Sequence, residues 1–399
     1  MRQTLRREMS LGGAIVTGLG SIIGTGAFVA IGTAAGMWGD ATLAAVPIAA
    51  VVALFNGFSS AYLAGRFPVA GGTYEYGYDA LGPWWGFTAG WLFLLAKTAS
   101  AGTAALGVAL YLALPGDRRV IAVMAVLIVT GLVLAGLSRT TVVNTLLVTI
   151  TVAALLTFAV AGLVAPGAFS SIDPATLGDG LLPAIAFLFV AYTGYGRIAT
   201  LGEEVQRPER TIPRAVIVTL LVAALLYGLV ALGGRATGGA RWGLSLEEGL
   251  TLAELVSTPY STVVAIGAVT AMLGVLLNLV LGLSRVWLAM GRRHDMPGAL
   301  SRLDRRSTPV NAIVVSAIPV LVITLIGDIS IAWSFSAFTV LLYYGITNLS
   351  ALAIDRRRLS AWLGLASCAS LSFFVPLAVW LAGAALLAIG LIWKGRRRA

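Results

Sequence analysis

The sequence predicts an all-α integral membrane domain of twelve transmembrane helices, and three observations carry that prediction. Only 11% of the 399 residues are charged, while 58% are apolar and the mean hydropathy is +0.93. Soluble domains carry about 25% charged residues. The charges that remain divide the chain into uncharged runs near the length, roughly 20 residues, that a helix needs to cross ~30 Å of hydrocarbon. Basic residues also fall unevenly between alternate connections. With the N-terminus inside and twelve crossings, one side receives twenty Lys and Arg between Arg2 and Arg398, the other only Arg118, Arg119, Arg235 and Arg241. This is the positive-inside asymmetry. The net charge of +10 therefore orients the chain in a cell membrane, both termini cytoplasmic, and does not call for nucleic acid.

In order, the uncharged runs are 9–39, 41–65, 120–138, 140–172, 180–196, 215–234, 255–284, 307–327 and 329–354, with 80–116 broken by Lys97 alone. The last run, 359–393, is too long for one span and carries Pro376 near its middle, so two short helices joined by a tight turn are expected. The basic start MRQTLRREMS precedes an apolar run that is too long for a signal peptide and lacks a small-residue cleavage site. It reads as a retained first helix.

Catalytic chemistry finds little support. One cysteine, Cys368, and one histidine, His294, leave no material for a Cys/His zinc cluster or a disulfide. Cys368 reads as a small buried residue and His294 as solvated in a basic loop. The stretch GSIIGTGAF, Gly20–Phe28, is neither a dinucleotide fingerprint nor a P-loop. Val29 stands where the third glycine belongs, and no Lys-Ser/Thr pair follows.

Those glycines have another use at membrane depth. Irregular backbone there leaves N–H and C=O groups unpaired at a cost of several kcal/mol each unless something polar meets them. Small residues also serve helix packing, and 47 glycines make that the ordinary reading of any single one. A second such site changes the balance. About 170 residues on, AYTGYGRIA (Ala191–Ala199) places Gly194 and Gly196 in the middle of the sixth span. Each interrupted span opens a five-helix block, 9–165 and 180–354, and 359–393 follows as two extra helices. Five is odd, so the second block enters from the opposite side. The two breaks then face each other near the bilayer centre, the pattern of an inverted-repeat transporter. A half-helix N-terminus suits a carboxylate and a half-helix C-terminus suits an ammonium. Two antiparallel broken helices thus make a receptor for a zwitterion, and an amino acid is the obvious ligand.

These residues also carry a family resemblance. GSIIGTGAF, PVAGGTYEYGYDALG (Pro68–Gly82), FVAYTGYGRIATLGEEVQRPERTIP (Phe189–Pro213) and SRVWLAMGRRHDMP (Ser284–Pro297) occur in matching order. They resemble the first helix, first cytoplasmic loop, sixth helix and eighth-helix end of the amino acid–polyamine–organocation (APC) superfamily. The resemblance implies the five-plus-five fold named after the bacterial leucine transporter, with broken helices 1 and 6. It also implies a non-enzymatic secondary transporter working by alternating access, without a cofactor or an obligate protein partner. Position by position, it assigns the substrate carboxylate to Thr25 and Gly26, with Gly24 opening the turn. The ammonium is assigned to the carbonyls of Ile22, Val190 and Thr193, at the break completed by Gly194 and Tyr195. Asn278 lies at the level of the substrate side chain, with a helix–helix bond as the equal alternative.

The departures are informative. Relatives often carry an acidic residue where this chain has Gly196, and Arg197 follows it here. A pocket without a carboxylate argues against arginine, lysine or polyamines. Neutral amino acids fit best, with acidic amino acids or another small organic amine as the alternatives. Arg197, Glu203 and Glu204 are expected to form inner-gate ion pairs, or else to belong to a solvated loop. Coupling is less legible. The eighth span offers Thr270 alone toward a sodium site, and the helix 5 position that carries a lysine in some relatives is Thr151. Lys97, midway along the third span, is therefore expected to serve proton coupling or substrate recognition. A lysine at bilayer centre costs at least ~2.5 kcal/mol, and no acidic residue lies at comparable depth. Its plain alternative is snorkelling or donation to helix carbonyls. A channel would need a continuous polar lining, and the spans show only isolated polar residues.

Overall fold

The computed structural model describes residues 9–67, 71–112, 115–136, 141–164, 180–199, 202, 205–238, 251–304 and 308–397. Among these, every regular element is helical. The one extended pairing is an isolated bridge between Met9 and Val205. Ser10 caps α1 (Leu11–Ile22) by accepting the Gly13 N–H at 3.3 Å. At Ile23 the backbone turns extended (φ −80°, ψ 105°). It resumes as a π-helical turn, Gly26–Ala30, that runs into α2 (Ile31–Trp38). The first span is thus helical at both ends and interrupted inside the glycine stretch.

Next come α3 (Ala41–Arg66), the short α4 (Thr73–Leu81) and α5 (Pro83–Leu112). After α6 (Arg118–Leu134) and α7 (Thr141–Leu163), the sixth span comprises α8 (Leu181–Tyr192), a 3₁₀ turn Thr193–Tyr195, and α9 (Gly196–Ala199). The remainder is α10 (Pro208–Gly238), α11 (Tyr260–Arg292), α12 (Val310–Ile326), α13 (Ile329–Ile354), α14 (Leu359–Leu371) and α15 (Leu377–Arg396). Among the described residues, nine helical stretches are long and apolar enough to cross a membrane; α12 and α14 are shorter apolar helices. The long last run divides where Pro376 stands, as N-cap of α15. A proline suits a helix start because the N–H it lacks has no intrahelical partner there.

α5 forms the centre of the molecule, packed against both α11 and α13. In its most apolar stretch 89% of residues are buried, against 22% in peripheral α15. α10 packs against α3 and α7, and α1 crosses α10. Small residues along α5 (Ala96, Ala99, Ala101, Gly102, Ala104, Ala105) are buried and allow this close approach.

Two polar assemblies hold opposite ends of the bundle. At the end where α11 finishes, Asp295 is buried and accepts from Tyr74 Oη at 2.9 Å, from Tyr78 Oη and from Lys394 Nζ. Lys394 Nζ also donates to Tyr78 Oη at 3.1 Å, and Trp393 Nε1 donates to the Asp295 carbonyl at 3.0 Å. Arg293 pairs with Glu75 and lies 4.5 Å over the Tyr78 ring. Burial and the Asp295 carboxylate both raise the Tyr74 and Tyr78 phenols, so these hydroxyls stay protonated and keep donating. The cluster joins α4, the end of α11 and α15. At the other end, Arg235 on α10 pairs with Asp40 at 2.6 Å. There Tyr111 Oη donates to the Phe28 carbonyl at 2.7 Å and accepts the Leu252 N–H at 3.1 Å, tying α5 to the π-helical turn and to the segment before α11.

Candidate functional site

The two interruptions meet. A Cβ built on Gly194 would strike the Ser21 carbonyl and the Ile22 nitrogen, so the sixth-span break lies directly on the backbone of the first. No side chain fits between them. Gly24 faces α11, where an added Cβ would come within 2.5 Å of Val275 Cγ2. Gly26 faces α8 and α10, where a Cβ would lie 2.7 Å from Ala191 Cβ and 2.8 Å from Tyr227 Oη. These glycines are therefore explained first by close approach of protein to protein.

Past the break, the second half of the first span begins its own hydrogen-bond ladder at the Gly24 carbonyl. It accepts from Ala27 N at 3.0 Å and Phe28 N at 3.1 Å. The N–H groups of Gly24 and Thr25 precede that ladder, at the positive end of a half-helix. Beside them Thr25 is 3% exposed, and its Oγ1 is buried with no hydrogen-bond partner among the described residues. An unsatisfied buried hydroxyl is uncommon and calls for an explanation.

The carbonyls assigned to an ammonium are occupied by protein donors in this conformation. Tyr227 Oη, on α10, lies 2.8 Å from the Ile22 carbonyl and 3.1 Å from that of Ala191. One hydroxyl thus spans the last turns of α1 and α8. The Val190 carbonyl accepts the Thr193 hydroxyl at 2.8 Å, and the Thr193 carbonyl accepts Tyr344 Oη from α13 at 3.2 Å. The Tyr195 ring packs on Tyr344 with centroids 5.3 Å apart. Lys97 reaches the same place: its Nζ donates to Thr193 Oγ1 at 3.1 Å.

The structure thus gathers Ile22, Gly24, Thr25, Gly26, Val190, Thr193, Gly194, Tyr195 and Lys97 around one crossing. Asn278 stands one step away. Its amide donates to the Gly20 carbonyl and to Ser21 Oγ, both at 3.3 Å, which secures α1 just before its break. Arg197 lies half-buried on α9. Glu203 and Glu204 lie outside the described residues. After them in the sequence, Gln206 N donates to the Met9 carbonyl at 2.9 Å.

Sequence reasoning missed Tyr227, Tyr344 and Tyr111. The available signal is a phenol set within an apolar helix, whose hydroxyl must find a partner when buried. Among the described residues no group of three His, Cys, Asp or Glu side chains could hold a metal ion. Cys368 is buried, as expected, and its thiol additionally donates to Asn56 Oδ1 at 3.2 Å.

The sequence is similar to known transport proteins along most of its length. The amino acid permease family model matches residues 13–394. An uncharacterized transporter of Mycobacterium tuberculosis is 41% identical, over 99% of this chain and 92% of its own. A branched-chain amino acid permease of Bacillus subtilis is 31% identical, over 77% of this chain and 72% of its own. A mitochondrial cationic amino acid transporter of Arabidopsis thaliana is 26% identical, over 82% of this chain and 59% of its own. With interrupted helices packed break to break and a family match over nearly its whole length, the chain belongs to the amino acid permease family of the APC superfamily, a multi-pass membrane transporter and not an enzyme.

Proposed function

We propose that this protein carries an amino acid across the cell membrane by alternating access, holding the substrate by its α-groups at the crossing of the first and sixth spans. The observation that carries this reading is the buried Thr25 hydroxyl, without a partner among the described residues and beside the N–H groups that open the second half-helix. A carboxylate would satisfy both. The ammonium would then take carbonyls at Ile22, Val190 and Thr193 in exchange for Tyr227 and Tyr344. Such an exchange would tie binding to the packing of α10 and α13 against the breaks. In the proposed topology twelve helices form two inverted five-helix blocks, 9–165 and 180–354, with 359–393 added, and both termini are cytoplasmic. The Arg197, Glu203 and Glu204 group belongs to the inner gate.

The substrate's side chain bears no positive charge. No Asp or Glu lies in any span interior to receive one; Glu209 stands only in the first turn of α10. The branched-chain permease among the relatives supports a neutral amino acid, such as leucine, as substrate. A competition screen with radiolabelled amino acids in proteoliposomes tests the reading. Saturable uptake inhibited by an uncharged amino acid is expected. Saturable uptake indifferent to every amino acid would remove it.

A further inference from the structure

Among the described residues, Lys97 is a buried charge with no carboxylate partner. It stands midway along α5, the most buried span, and is 9% exposed. An ammonium has three N–H donors. One reaches Thr193 Oγ1 at 3.1 Å, and the other two meet no acceptor among the described residues. No carboxylate from any span interior can neutralise it, because the sequence places none there. Thr193 caps the C-terminal end of α8, where the helix dipole is negative. That explains how a cation is tolerated at this depth, and it leaves the full charge without a counter-ion.

The position matters as much as the charge. Lys97 touches the sixth-span break, and Gly194 of that break lies on the Ser21–Ile22 backbone of the first. An amino acid seated at the crossing has its side chain within this same group of helices. One turn along α5, Ser100 Oγ meets Ser336 Oγ of α13 at 2.8 Å, both buried, which extends the polar surface away from the break. Facing this surface from α13 are the hydroxyls of Tyr344 and Ser336, and among the described residues no carboxylate bonds to it.

From this arrangement we infer that Lys97 and Thr193 form a subsite for a negatively charged group on the substrate, so that acidic amino acids such as L-glutamate are admitted alongside neutral ones. The inference rests on the amino acid reading above and adds a substrate class to it. The remaining N–H donors of Lys97 donate to the side-chain carboxylate, and the pair of charges formed at that moment offsets the burial of each. The same charge repels a lysine or arginine side chain. An uncharged side chain leaves the ammonium on Thr193 Oγ1, as it stands in the structure.

The test uses the full-length protein in proteoliposomes, with radiolabelled L-glutamate and L-leucine measured in parallel and L-lysine as a third probe. Wild type is expected to take up glutamate saturably and to ignore lysine. In Lys97→Gln the ratio of glutamate to leucine uptake falls by about tenfold or more, the loss of one charge-assisted bond. In Lys97→Arg, which keeps the charge, the ratio stays within about threefold of wild type, a spread of under ~1 kcal/mol. Should Lys97→Gln fail to insert, Thr193→Val, which removes the hydroxyl partner, is expected to lower the same ratio. Saturable leucine uptake with glutamate neither transported nor competing would overturn the subsite and leave the amino acid reading standing. So would a glutamate-to-leucine ratio unchanged in Lys97→Gln, which would make Lys97 a cap for α8. Absence of saturable uptake for every amino acid would overturn the underlying reading instead.

Discussion

Thr25 and Tyr227 show how little of a binding site rests on side chains that sequence alone singles out. The Thr25 hydroxyl makes no hydrogen bond among the described residues, so Thr25→Val is expected to leave thermal stability within about 0.5 kcal/mol of wild type. The same change removes a bond to the substrate carboxylate, and the KM for uptake should rise by about tenfold or more. Thermal unfolding in detergent together with uptake kinetics checks both halves. Equal loss of stability and uptake would make the hydroxyl a structural one. Gly194 behaves differently. Its neighbours are the Ser21 carbonyl and the Ile22 nitrogen, backbone atoms that cannot rotate aside, so Gly194→Ala should abolish uptake even in protein that reaches the membrane. Surface labelling measured beside transport separates the two. The glycines were legible because an apolar run has no other reason to carry so many at its midpoint. Tyr227 was not, because nothing within α10 indicates that its hydroxyl reaches carbonyls of two other spans.

Helices in this protein are specified by hydrophobic length, and their ends by pairing that the chain order hides. Every uncharged run read from the sequence contains a described helix, and Pro376 divides the last run at the expected place. The joints are another matter. Asp295 and Lys394 are 99 residues apart, and nothing in either neighbourhood announces a buried pair. Removing one partner of such a pair leaves the other charge uncompensated, so Lys394→Met should destabilise the protein by about 3–5 kcal/mol. Lys394→Met with Asp295→Asn should recover part of that loss. Thermal unfolding of Lys394→Met, Asp295→Asn and the double variant measures the coupling, and additive effects would mean that the pair contributes nothing as a pair. At the other end, Tyr111 links α5 to the π-helical turn and to Leu252 through one hydroxyl. Tyr111→Phe should loosen that joint, and a cysteine placed at Ala253, buried in the intact structure, should react faster with a membrane-impermeant thiol reagent. Unchanged labelling would show that the joint does not restrict access.

At the scale of the whole molecule, the breaks bring the backbones of the first and sixth spans directly onto each other. α1 and α8 stop in the interior, and their exposed ends are met by each other, by Thr25, by Lys97 and by phenols from α10 and α13. A chain that only needed to cross the bilayer would have kept both spans continuous, since each interruption leaves backbone polar groups to be satisfied. The composition made the membrane spans legible, and the two glycine clusters marked the two helix breaks that pack together. The satisfaction of the break by tyrosines required the fold, because it depends on which helices lie side by side. The central claim is that these ends read both α-groups of an amino acid. Its most direct test is inhibition of radiolabelled L-leucine uptake in proteoliposomes by leucine, its methyl ester and its deaminated acid. Leucine is expected to compete, and each analogue should be weaker by about 1–3 kcal/mol, tenfold or more, because one buried polar set is left unpaired. An ester or a deaminated acid that competes as well as leucine itself would contradict the account.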